Sequence, residues 1–179
     1  MISERAGNGL DRMLVRAVRS RLLQDSGDAC CIETKTVDSA SPAPREDIVV
    51  LTISSIVFRM LILFHVEATP ANRAYFRRGE EERPFAEVFS EVVNLCCGAL
   101  NQDLLNYFPD LGMSTPYRLD SRCQTFLNTL APAYQSRHDI AINDEVRLSV
   151  TLCVCSDAPV DFVYDASTEE EASGELELF

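Results

Sequence analysis

The sequence predicts an α+β fold: a mainly antiparallel β-sheet packed with long helices. Three observations carry that expectation. Residues 145–155 alternate cleanly, with Val146, Leu148, Val150, Leu152 and Val154 on one face. Residues 48–68 are an apolar, β-branched run broken at Ser54-Ser55, the pattern of two buried antiparallel strands joined by a tight turn. Residues 84–107 are apolar at helical spacing over most of their circumference, so this long helix should cross one face of the sheet.

The first helix can be capped by Asn8 or Asp11 and runs to about Leu23, with Leu10, Met13, Leu14, Ala17, Val18 and Leu22 as its buried stripe. Arg12, Arg16 and Arg19 lie outward, as a solvated face or toward an acidic partner. Cys30 to Val37 alternates as a strand, and residues 39–44 (SASPAP) form a loop. The length of the 48–68 run invites a transmembrane reading, but Arg59 sits in its middle with Thr52 and His65. A central arginine costs about 2.5 kcal/mol or more in a bilayer. His65, near a strand end, reads as an ordinary half-buried histidine. Thr69-Pro70 opens a short helix through Arg78, with proline at the first helical position, and residues 79–83 (GEEER) are a charged break.

Beyond the long helix, residues 108–112 stop it and Thr115 to Leu119 reads as a short strand. Residues 120–136 are ambiguous, with a helical turn at Thr125 to Leu130 ended by Pro132. His138 to Ile142 is a strand, Asn143-Asp144 a turn, and Val160 to Tyr164 an edge strand after the 145–155 segment. From Asp165 the chain carries six acids and no base, the composition of a mobile tail. The organisation expected is one domain over residues 1–164 and an acidic tail over 165–179.

A net charge of −12, with Lys35 the only lysine, argues against nucleic acid or an anionic membrane as partner. No apolar segment of a signal peptide opens the chain, so a cytoplasmic protein is expected. Seven cysteines, an odd number with two adjacent pairs, fit reduced thiols packed as small hydrophobes. No CxxC pair or Cys/His cluster suggests a metal, and no cofactor is expected.

The long helix keeps one polar line. Glu87, Glu91, Asn94, Gly98 and Asn101 follow each other at steps of four, three, four and three, so they stack along the axis. Asn and Gly are poor choices for plain solvation of a helix, Gly costing roughly 1 kcal/mol against Ala. An amide, and the room left by a missing side chain, are the features such a line would gain.

Glu91 and Asn94, with Gly98 one turn on and Pro116 after twenty-one intervening residues, make the chain similar to the chemotaxis phosphatases of the CheC/CheX family. The family's signature is Asp or Ser, three residues, Glu, two residues, Asn, then a later Pro. Glu87 occupies the first place, a departure. The likeness spans about residues 8–160 and the motif occurs once, so the chain resembles CheX, whose members pair into symmetric dimers by joining sheets.

The resemblance implies a phosphatase acting on the phospho-aspartate of a CheY-like response regulator, with the Mg²⁺ held by that regulator. Asn94 would position the hydrolytic water and Glu91 would anchor a lysine beside the phosphoryl group. Gly98 and Pro116 would serve partner binding, and Glu87 would add to docking or be plain helix surface. No nucleophile or general base is needed, which suits a sequence without a Cys-His or Ser-His-Asp set. The alternatives are a module of the same fold that docks a regulator without hydrolysis, and a small-molecule or metal sensor using the cysteines.

Overall fold

The alternating segments pair into a single sheet. A computed structural model describes residues 1–36 and 47–165, so the expected loop at 39–44 and the expected tail beyond Asp165 lie outside the described residues. Seven strands, all antiparallel to their neighbours, make the sheet: β1 (Cys30–Thr36), β2 (Asp47–Ser54), β3 (Arg59–Val66), β4 (Gly112–Met113), β5 (Tyr117–Asp120), β6 (Tyr134–Ile142) and β7 (Val146–Cys155). They lie in the order β1-β6-β7-β3-β2, and β4 and β5 share the outer edge of β2.

The run that invited a membrane reading is β2 and β3. Their register pairs Leu51 with Ile62, and the turn between them closes with the Ser55 N–H donating to the Phe58 carbonyl at 2.9 Å. Arg59 is the exposed first residue of β3, so its charge stays at the rim while Met60, Ile62 and Phe64 go inward. Among the described residues no helix is long and apolar enough to cross a membrane.

Because side chains alternate, each central strand serves two faces. Val49, Leu51, Ile53, Met60, Ile62, Phe64, Val150, Leu152 and Val154 meet helices α1 (Glu4–Arg21) and α3 (Phe85–Leu105) in the main core. On the opposite face Ile48, Val50, Leu63 and Cys153 are covered by Leu127 from a 3₁₀ helix, Ser121–Leu130. That helix occupies the stretch whose pattern was ambiguous, and its three-residue turn explains why neither a 3.6 nor a 2 period was legible there.

Three expectations need correction. Helix α1 begins at Glu4, capped by the Ser3 hydroxyl accepting from the Ala6 N–H at 3.2 Å, and not at Asn8 or Asp11. Gly7 and Gly9 do not delay it, because they let the helix lie close to its neighbours. A Cβ on Gly7 would stand 2.5 Å from the Tyr134 ring. Asp11 faces the sheet instead, accepting from Tyr134 and Ser136, each at 2.6 Å, with His138 Nε2 at 3.2 Å.

Residues 160–164 are not an edge strand. Val160 makes a single parallel bridge to Ile2, while Phe162 packs on Tyr107 and Phe108, and Tyr164 lies under Arg12. The alternation there aims aromatic rings at the helices without any strand partner. His65 is buried rather than half-buried: Thr151 Oγ1 lies 3.1 Å from its Nε2, and Gln124 of the 3₁₀ helix lies 2.6 Å from its Nδ1.

The short helix α2 (Pro70–Phe76) has the expected proline start, with the Thr69 hydroxyl accepting from the Asn72 N–H at 3.1 Å. The arginine line of α1 is largely used inside the fold. Arg12 stacks over Tyr164, and Arg16 reaches Asp103 of α3 at 2.7 Å.

Two outcomes follow from this packing. Gly7→Ala should destabilise the protein by about 1–3 kcal/mol in urea unfolding, because the Tyr134 ring it would strike is tethered to Asp11 and cannot simply swing away. Burial draws His65 down to about 4 from an ordinary value near 6.5, so the unfolded chain takes up its proton first. The stability it contributes is present above about pH 6.5 and lost as pH falls toward 4, by up to about 3 kcal/mol, and His65→Gln should flatten unfolding free energy across that window.

Candidate functional site

Helix α3 has no side-chain cap at its start, where Pro84 stands, so packing holds it. Phe89, Val93, Cys96, Cys97, Leu100 and Leu104 enter the core, and α1 closes a second flank through Arg16 and Asp103. Between those two contacts the polar line emerges. Glu87 and Glu91 are exposed; Asn94, Gly98 and Asn101 are half-buried. Leu95, beside Asn94, is 57% exposed, although α3 is otherwise an apolar helix turned inward.

The Asn94 side chain makes no hydrogen bond to another described residue, and its half-buried amide is open to water. Glu91 lies one turn before it, a separation of about 5–6 Å between Cβ atoms. The Glu91 carboxylate is already engaged: Arg83 Nη1 lies 2.9 Å from one oxygen and Nη2 2.6 Å from the other. Arg83 also bonds Glu80. Those hydrogen bonds hold the Glu91 carboxyl below its ordinary range and push the Arg83 guanidinium up. Glu87 has no ion pair among the described residues.

Gly98 leaves real space: a Cβ there would meet no heavy atom within 4 Å. Nothing in the protein's own packing therefore requires glycine at this position. Pro116 lies half-buried in the bend between β4 and β5, on the strand edge next to β2, the strand over which α3 packs. The fold thus unites Glu87, Glu91, Asn94 and Gly98 on one surface and carries Pro116 on the neighbouring sheet edge.

Two residues were not assigned from the sequence. Arg83 belongs to the stretch read as a charged break, and it stands eight residues from Glu91 across the start of a helix, where no periodicity links them. Asn101 was visible in the polar line but given no role. Its amide oxygen is buried without a hydrogen-bond partner among the described residues, an arrangement that costs about 1–3 kcal/mol.

The buried cluster around Asp11 is structural. Ser136, His138 and Asp11 look like a nucleophilic trio by composition, but Ser136 and His138 are buried beneath α1 and Ser136 donates to Asp11. Burial alone would raise the Asp11 carboxyl, but hydrogen bonds from His138, Ser136 and Tyr134 outweigh it and hold the group below its ordinary range. All seven cysteines are free, and burial pushes Cys97 up to about 12, which suits a packed and unreactive thiol. Among the described residues no group of three or more His, Cys, Asp or Glu is placed to hold a metal ion.

No family model matches the chain, and no curated protein matches it. Solved structures do. A chain of the CheX–CheY complex with beryllofluoride and magnesium from Borrelia burgdorferi superposes with a TM-score of 0.56 at 14% identity, covering 83% of this chain and 97% of that one. The fold is CheC/CheX-like.

Chemotaxis protein CheX from Vibrio vulnificus superposes equally well, with a TM-score of 0.56 at 12% identity over 82% of this chain and 97% of that one. A CheC-like superfamily protein from Shewanella sp. PV-4 gives 0.52 at 10% identity, over 82% and 95%. The CheX-like architecture thus takes in nearly all of each neighbour. At these identities the likeness is one of fold.

The open space at Gly98 makes a direct expectation. Gly98→Ala should fold and gain stability, by up to about 1 kcal/mol in denaturant unfolding, because helix propensity improves and nothing is struck. An unchanged or lower stability would mean that this part of α3 is under a constraint the packing does not reveal.

Proposed function

We propose that the chain is a phosphatase that hydrolyses the phospho-aspartate of a CheY-like response regulator, with Asn94 positioning the water. The observation that carries this reading is the Asn94 amide, hydrogen-bonded to no described residue and half-exposed one turn from Glu91, on the outward line of a helix in a CheX-like fold. An acyl phosphate is labile and brings its own Mg²⁺ site on the regulator, so the enzyme need supply little beyond alignment. The Asn94 amide would hold a water in line with the phosphorus. Water's oxygen bonds to phosphorus as the acyl P–O bond breaks, releasing phosphate and the aspartate carboxylate.

Glu91 would anchor the partner by pairing with a cationic side chain beside the phosphoryl group, and the gap at Gly98 would admit the partner's backbone. Glu87 and Leu95 extend the same exposed surface, and Pro116 would reach the partner from the β4–β5 edge beside β2. That the solved neighbour is a CheX–CheY complex supports a response regulator as partner. A homodimer formed by sheet extension has support in the outer edge of β4 and β5, which pairs with no further strand among the described residues and where Met113, Tyr117 and Leu119 are exposed. Seven free thiols suit a cytoplasmic setting.

A second reading, a docking module without hydrolysis, is favoured by the engagement of Glu91 with Arg83 and by glutamate at position 87. One experiment separates the two. Phosphate release from the organism's response regulators, charged with acetyl phosphate, should be accelerated by the wild-type protein. Asn94→Ala should lower that acceleration by about 10- to 100-fold while regulator binding persists. Binding without acceleration by the wild type would select the docking module.

A further inference from the structure

The Glu91 carboxylate faces a cation already, and that cation belongs to the chain itself. Arg83 closes a two-pronged contact on both Glu91 oxygens while keeping a bond to Glu80. Helix stability does not explain the placement. A guanidinium just ahead of a helix N-terminus sits at the positive end of the macrodipole, where acids are favoured. Nor does the core require it: the Glu91, Glu80 and Arg83 side chains are all at the surface, at 60%, 44% and 37% exposure.

We propose that Arg83 is an internal occupant of the partner-anchoring site: it holds the Glu91 carboxylate in the free protein and must give it up, moving onto Glu80, when a partner's cationic side chain docks. This rests on the reading of Glu91 as the group that anchors a regulator. The exchange is feasible because Arg83 shares its guanidinium between the two acids, so release from Glu91 leaves it with a carboxylate. Arg83 also stands outside α3, in a turn segment that includes Gly79 at a φ of +80°, so it can shift without unwinding the helix. The contact is exposed and screened by salt, so it sets a threshold for docking without forbidding it. A partner with a neutral side chain at that place would leave the Arg83 contact intact, and the device would select regulators that bring a cation.

The test is the affinity of wild type and variants for the organism's response regulators charged with beryllofluoride, at low and high salt. Glu91→Gln should weaken binding. Arg83→Gln should tighten it by up to about fivefold at low salt, with the gain shrinking at high salt. Glu80→Gln should weaken binding by about twofold, since Arg83 then rests on Glu91 alone, and that effect should vanish in the Arg83→Gln background. If Glu91→Gln weakens binding but Arg83→Gln leaves it unchanged or weakens it, Arg83 is no internal occupant and the proposal is overturned. If Glu91→Gln has no effect, or no regulator binds the wild type, the anchoring role of Glu91 itself fails and this inference falls with it. Thermal unfolding of Arg83→Gln at the wild-type temperature shows that the affinity change is not a folding defect.

Discussion

Burial of α3 on two sides is the constraint from which the rest of the site follows. The sheet takes one flank of the helix and α1 takes the next, so almost every turn must supply apolar residues to both. One narrow side of the helix is left for water, and Glu87, Glu91, Asn94, Gly98 and Asn101 all lie on it, while Asp103 turns to Arg16 of α1. Two glutamates, two amides and a glycine therefore share a line rather than scatter over a surface. Their mutual placement is a by-product of core packing, which makes it rigid without any network built for the purpose.

The parts of this arrangement that were legible in the sequence are those ruled by a simple period. Val146 to Val154 showed a strand because alternate residues face one core, and the polar line of α3 showed because its steps return to one angle. The two strands at 48–68 were legible through their break and through Arg59, which needs water. What escaped reading has no such period. The 3₁₀ helix turns in three residues, the α1 start runs through Gly7 and Gly9 whose close neighbours Tyr134 and Phe162 come from distant segments, and the partners of Phe162 and Tyr164 lie on other elements. The engagement of Arg83 with Glu91 crosses from a turn into a helix, and only the folded chain brings the two together.

The two faces of the sheet are finished differently. One carries the long helices and nearly all of the large side chains, while the other has a small cluster under Leu127. His65 sits under that thinner cover, tied to Gln124 of the 3₁₀ helix and to Thr151 of β7. A buried imidazole joins the cover to the strands, so the side of the sheet with the smaller core owes part of its order to hydrogen bonds that acid would break.

The buried cluster around Asp11 has a bearing on how the sheet is assembled. Tyr134, Ser136 and His138 are alternate residues of β6, and all three reach the same carboxylate on α1. Sliding β6 by a single residue against its neighbours would turn all three to the far side and strand a negative charge between helix and sheet with no donor. Apolar alternation alone tolerates a slip of two, since valine and isoleucine fill each other's places at small cost. A tyrosine, a serine and a histidine of different reach do not, so Asp11 acts as a proofreader of strand alignment, rejecting shifted pairings that greasy contacts would accept.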